Sequence, residues 1–167
     1  MEQQQLIKLI EERVAVITDG ARALHAHAED LAFRSQSVSH AVKNGNPVRD
    51  RMFGDDLLIF HKGLNVFCAT VLELPNLLSR LDGEARSEAD AVRSMQSLFR
   101  AVSGLQKEMR GVQASASLAH QHLRNTPFKV ESTYIGLELE KMTQKTDLLP
   151  QACNKILNTV SAPFPDS

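Results

Sequence analysis

The chain has little aromatic surface and almost no net charge. Of its 167 residues 5% are aromatic, with one Tyr and no Trp, and 19 basic residues stand against 20 acidic ones for a net charge of -1. Base stacking needs flat side chains and phosphate binding needs a positive excess, so this composition disfavours a nucleic-acid partner. Cysteine is as scarce. Cys68 and Cys153 are the only two, too few for a disulfide framework or a Cys-rich zinc site, and both read as small core residues. The opening Met1-Glu2-Gln3-Gln4-Gln5 is no charged-then-apolar leader, and no uninterrupted apolar run approaches the ~18 residues of a membrane span. Neither a signal peptide nor a transmembrane segment is expected, and the chain reads as cytoplasmic.

Reactive constellations are missing too. There is no Gly-x-Ser-x-Gly elbow, no phosphate-binding glycine loop and no His-Glu-x-x-His helix. His25 and His27, like His120 and His122, are two residues apart, so they diverge by about 200° on a helix and cannot share an ion. A di-iron bundle site needs Glu-x-x-His on two helices and haem attachment needs Cys-x-x-Cys-His; neither occurs. The adjacent acids Glu11-Glu12 and Glu29-Asp30 read as solvated surface. His61-Lys62-Gly63 has the residues of the histidine phosphotransfer box at the wrong spacing, since Lys and Gly there occupy the third and fourth positions after the His. His122-Leu123-Arg124-Asn125-Thr126-Pro127-Phe128 loosely resembles the phosphoacceptor box of sensor histidine kinases, His-x-Leu-Arg-Thr-Pro-Leu. It departs from that box at Asn125 and in lacking an acid beside the His, and Thr126-Pro127 is equally a helix cap and first turn. The chain is read as non-enzymatic, with no metal and no cofactor.

What is present is apolar periodicity. Ile7, Val14, Ala21, Ala28, Ser35 and Val42 recur every seven residues, with Ile10, Ile17, Leu24, Leu31 and Val38 three residues behind them. Two such rows describe one buried seam of a long helix. The first row is rich in small residues, which permits a close neighbour. Asn44-Gly45-Asn46-Pro47 ends the run. A second segment pairs Leu57, Leu64, Val71 and Leu78 with Phe60, Phe67, Leu74 and Leu81. It starts either with Asn46 as cap or after Gly54 with Asp55 as cap, and Pro75 should kink it near Val71. Asp82-Gly83 closes it. A third segment sets Met95, Val102, Met109, Ala116 and Leu123 against Ala91, Leu98, Leu105, Val112 and Ala119. After Asn125-Thr126-Pro127 a fourth sets Phe128, Ile135, Met142, Leu149 and Ile156 against Leu139, Thr146, Cys153 and Val160. The expected fold is all-α: one up-down-up-down antiparallel four-helix bundle with helices over about 3–43, 47–81, 84–124 and 127–160 and a frayed tail over 161–167. Turns of two to four residues make consecutive helices antiparallel neighbours.

Two surfaces stand out. The second segment is apolar beyond its seam, at Leu58, Ile59, Val66, Leu72 and Leu77. Leu58, Ile59, Leu72 and Leu77, with Phe33 at their edge on the first helix, form the candidate partner surface. Arg86, Arg93, Arg100 and Lys107 fall at strict seven-residue spacing on the outer face of the third helix and form a candidate stripe for an acidic partner, protein or anionic lipid. With no reactive site and much apolar surface, the function expected is contact with a protein partner or self-association as a homodimer: an adaptor, a chaperone-like subunit or an assembly component. Behind it stand a sensory bundle holding a small ligand, an amphipathic bundle on a lipid surface, and histidine phosphotransfer.

Overall fold

The two apolar rows of the first segment lie buried along a single helix, α1 (Glu2–Lys43), in a computed structural model that describes residues 2–82 and 89–161. Ile10, Val14, Ile17, Ala21, Ala28, Leu31, Ser35 and Val38 are each 2% exposed or less. Ser35 sits there without penalty because its Oγ donates to the Leu31 carbonyl at 2.6 Å, which satisfies the hydroxyl within its own helix. The end of α1 is written in Asn44-Gly45. Gly45 takes a φ of +67°, a left-handed conformation that costs glycine nothing. The Gly45 N–H donates to the Val42 carbonyl and the Asn46 N–H to the Ala41 carbonyl, the paired bonds of a Schellman stop.

That stop moves the start of the second rod. Helix α2 spans Phe53–Val71, so it begins neither at 47 under an Asn46 cap nor behind an Asp55 cap. The Asn46 backbone is already committed to closing α1. Met52 stands at the cap position with no side-chain cap bond, and Asp55 and Asp56 lie in the first turn, where carboxylates suit the positive end of the helix dipole. The start is set instead by burial: Phe53 is 0% exposed, edge-on to Phe128 at 5.1 Å. Pro75 interrupts the rod where its ring displaces the carbonyl four residues back. α2 ends at Val71, Leu72 forms a turn, and α3 runs Glu73–Asp82.

Helix α4 covers Ala89–Leu123 and α5 Lys129–Ser161. The expected start of the third helix at 84 and the tail beyond Ser161 lie outside the described residues. Between α4 and α5, Thr126 does cap: the Phe128 N–H donates to its Oγ1 at 3.2 Å, while that hydroxyl donates to the Leu123 carbonyl. Regular helix begins two residues later than Pro127, at Lys129.

The rods pack as α1 on α4, α4 on α5, and α2 with α3 on both α1 and α5. Among the described residues α4 does not run alongside α2 or α3, nor α1 alongside α5. The second and third rods of the chain are thus not side-by-side neighbours, contrary to the expectation from short turns. One core joins all four: Leu57, Phe60, Leu64, Phe67, Val71 and Leu74 from α2 and α3, Val102, Leu105, Met109, Val112 and Leu123 from α4, Ile135, Leu139 and Met142 from α5. Leu64→Ala and Leu105→Ala, at 0% and 1% exposure, should each cost about 2–5 kcal/mol. Urea unfolding followed by circular dichroism measures this.

Arg34 ties the loop before α2 to α1. Its Nε and Nη2 donate to the two Asp50 oxygens at 2.6 and 2.9 Å, and its Nη1 donates to Asp56 at 2.6 Å and Asp30 at 3.1 Å. The guanidinium also lies 5.5 Å from the centroid of the Phe53 ring. These bonds hold the Asp50 carboxyl below its ordinary range and keep the guanidinium protonated at any accessible pH. A carboxyl with a lowered pKa in the fold contributes stability above its unfolded pKa and loses it as pH falls through the folded one. With its side chain 21% exposed, Arg34→Met should cost about 1–2 kcal/mol near neutrality. The difference from wild type should shrink below the ordinary carboxylate range, as denaturation at a series of pH values would register.

Candidate functional site

Helix α2 turns one face inward and leaves the other bare. Leu57, Phe60, Leu64, Phe67 and Val71 are buried, whereas Leu58 is 50% exposed, Ile59 57%, Val66 69% and Leu72 41%. Between Asp56 and Glu73 the helix carries a single charged side chain, Lys62. The rod from Phe53 to Leu77, 25 residues, is by length and composition apolar enough to cross a membrane, yet only 39% of its most apolar stretch is buried. The expectation of no such segment fails because His61-Lys62-Gly63, Asn65, Glu73 and Pro75 interrupt the run but leave its average that of a spanning segment.

Three of the four expected α2 and α3 residues therefore share this outer surface: Leu58, Ile59 and Leu72. Leu77 does not; it is partly buried and packs against the core. Phe33 is 72% exposed but faces elsewhere. The side chain that reaches α2 from that turn is Arg34, and successive helical residues diverge by about 100°. The Arg34 network thus lies between Phe33 and the α2 face. Val66, apolar but left out of the candidate set, is the most exposed α2 member. Its signal was the seven-residue step from Ile59.

Helix α5 has an outer apolar stripe that the sequence reading missed: Val130 at 59% exposure, Tyr134 at 57%, Leu137 at 51% and Leu148 at 59%. Buried Ser132, Ile135, Leu139 and Met142 occupy the opposite side. The step of four then three residues from Val130 was the available signal.

Of the basic stripe, Arg100 and Lys107 are exposed on α4. Arg86 lies outside the described residues, as does the side chain of Arg93, which falls within α4. Arg100 borders an open cleft of about 490 Å³ between α1 and α4, shared with Glu11, Asp19 and Arg22. Acids there face the arginine, so this part of the stripe is mixed in charge.

Several of the histidines contact neighbouring side chains. His25 is clamped between α1 and α4, its Nε2 2.8 Å from Glu29 and its Nδ1 2.7 Å from Glu108. The imidazole lies flat on Gly111, where an added Cβ would collide with its ring atoms. His27 meets Phe60 edge-on at 5.2 Å. His120 Nδ1 lies 2.8 Å from Ser132 Oγ, which also lies 2.9 Å from the Lys129 carbonyl. In the stretch resembling a phosphoacceptor box, His122 is half-buried and its Nε2 is buried without a hydrogen-bond partner. Among the described residues no group of three or more His, Cys, Asp or Glu is arranged to hold a metal. At the centre, Ala28, Leu31, Leu57, Phe60, Ala116, Ala119, Ser132 and Ile135 enclose a void of only about 10 Å³, a space for one water at most.

Compared with protein-family models, with curated proteins and with solved structures, the chain matches none.

Gly111→Ala should displace His25 from Glu108 and Glu29 and cost about 1–3 kcal/mol, the usual effect of an overfilled contact. Thermal unfolding measures the loss. Gly104→Ala, whose Cβ meets nothing within 4 Å, is the control and should not destabilise.

Proposed function

We propose that this chain is a non-catalytic helical bundle of the cytoplasm that works through protein–protein contact, as an adaptor, chaperone-like subunit or assembly component, and that its partner docks on the outer face of α2. One observation supports the reading above the others: Leu58, Ile59, Val66 and Leu72 are 41–69% exposed, with Lys62 the one charge between Asp56 and Glu73. Leaving that much aliphatic surface in water costs about 1 kcal/mol for each half-buried side chain. A solvated helix would carry polar residues there instead.

On our reading the scaffold is a single domain whose four rods (α1, α2 with α3, α4, α5) run up, down, up, down. The levels at which rods meet support the alternation. Along α1 and α4, His25 lies beside Glu108 and Gly111 and Ala28 beside Ala116, so the two ascend together. Arg13 meets Glu73 and Arg34 meets Asp56, so α1 opposes α2 and α3. Gln106 bonds Asp147 and His120 meets Ser132, so α4 opposes α5. Around the bundle the order is then α1, α2, α5, α4, with the second and third rods across a diagonal.

A second reading has an observation of its own: the apolar length of Phe53–Leu77 suits a lipid surface. Against it, Asp55, Asp56 and Glu73 bracket the α2 face with acids, which anionic headgroups repel.

Site-specific photocrosslinking inside cells separates these. A benzophenone side chain replacing Val66 should yield adducts of discrete mass, and one replacing Ser103, exposed on α4, should not. No adduct at 66, or equal labelling at both positions, would sink the contact reading. Flotation with vesicles that is abolished by Val66→Glu would put the lipid reading in its place.

A further inference from the structure

We propose that the end of the bundle where α1 crosses to α2 and α4 crosses to α5 binds an acidic segment of a protein partner. This surface is separate from the α2 face, and its case stands without it. The placement comes from the fold. The two connections, 44–52 and 124–128, lie at the same end. Phe53, directly after the first, meets Phe128, the last residue of the second, with ring centroids 5.1 Å apart.

Positive charge gathers there. From His40 to Met52 and from His120 to Val130 the chain has five cations, Lys43, Arg49, Arg51, Arg124 and Lys129, against one acid, Asp50. All five are exposed. Among the described residues none of them is in an ion pair or a side-chain hydrogen bond. The one acid is already engaged, because both oxygens of Asp50 accept from Arg34. Asp56 is bonded to the same guanidinium. Asp55 and Glu131, in the first turns of α2 and α5, are the acids that border this end. The whole chain has a net charge of -1, so an excess of cations here leaves the remainder net acidic. Exposed arginines draw carboxylates in over about 10 Å at 0.1 M salt and hold them through forked hydrogen bonds.

A cleft is the second observation. The loop from Asn46 to Asp50 runs back along the last turns of α1 and leaves an open cleft of about 930 Å³ against them. Val38, Ala41 and Val48 give it apolar walls, Ser37 and His40 give polar ones, and exposed Arg49 stands at its edge. Ligand sites are commonly of about this size.

Together the cations and the cleft favour a peptide over other polyanions. A nucleic acid would need flat side chains to stack on, and no aromatic residue is exposed in either connection. A bilayer offers its phosphates in a plane, which leaves a cleft unfilled. An extended segment of about six residues covers about 20 Å, the width of two helices about 10 Å apart. One apolar side chain enters the cleft beside Val48. Its acidic neighbours meet Arg49 and Arg51 on one connection, then Arg124 and Lys129 on the other.

Fluorescence anisotropy of a labelled polyglutamate peptide with one central leucine, titrated with the full chain to about 300 µM, tests this. The peptide should bind saturably at low salt and release as salt rises, and the matching polylysine peptide should not bind. Arg49→Glu combined with Arg124→Glu should weaken binding by about tenfold or more. Arg100→Glu, an exposed arginine on the flank of α4, should leave it within about twofold. Ser37→Trp fills the cleft from an exposed position and should weaken the leucine peptide more than one with glycine in its place. No saturable binding, or an affinity unmoved by the double reversal or by Ser37→Trp, overturns the proposal. Should a variant fail to fold, the unmodified chain still decides: equal binding of the polylysine peptide overturns it. Phosphatidylserine vesicles or a single-stranded oligonucleotide that displace the peptide, and whose binding the same double reversal abolishes, would assign this end to another class of partner and overturn the proposal as well.

Discussion

The closeness of α1 to its neighbours governs the rest of the molecule. Ala21, Ala28 and Ser35 are fully or almost fully buried, and none carries a side chain beyond one heavy atom from Cβ. Where such residues line a seam, two helices approach until larger side chains on either flank limit them, and dispersion contacts multiply as the gap closes. α4 answers with Gly111, Ala116 and Ala119, and the space over Gly111 is what admits His25. Since α1 is held by α4 on one flank and by α2 and α3 on the other, neither it nor α5 reaches round to the far side of α2. The outward leucine, isoleucine and valine of α2 are left uncovered by the same packing that buries its inner row.

Polar interactions do a different job. The Arg34 cluster sits at the α1–α2 corner, one cation serving Asp30, Asp50 and Asp56. Its bidentate grip on Asp50 fixes a loop that has no regular structure of its own, and with the burial of Phe53 it decides where α2 starts. The His25 bridge to Glu29 and Glu108 works the same way between α1 and α4. Neither supplies the bulk of the stability, which belongs to the apolar core. Both set alignment: a hydrophobic seam is tolerant of sliding along its axis, whereas a guanidinium fork or a two-sided imidazole is satisfied in one position.

Local chemistry was legible wherever it depended on neighbours in the chain. Asn44-Gly45 stops α1, Pro75 breaks the second rod after Val71, and Thr126 caps toward Phe128, each because the deciding atoms lie within a few residues of one another. The buried rows of α1 and α2 could likewise be read, since periodicity reports which side of a helix faces inward. Of the candidate site, Leu58, Ile59 and Leu72 could be picked out as apolar residues off the seam. Leu77 could not be told from them, because α3 follows the proline break and its facing is reset there. Phe33 was misplaced relative to the face because its direction depends on where α2 lies around α1.

By itself the sequence determined that the chain is helical, where α1 stops and where the second rod breaks, and which rows α1 and α2 hide. Only the tertiary structure decided which rod lies against which, and that α2 neighbours α5 and not α4. The physical reason is degeneracy. All four seams are built from the same aliphatic residues at the same spacing, so each could pack on any other about as well. The choice among pairings rests on side chains far apart in the chain, such as Gly111 beneath His25, Phe128 against Gly54 and Arg34 between three aspartates, whose meeting no local pattern announces.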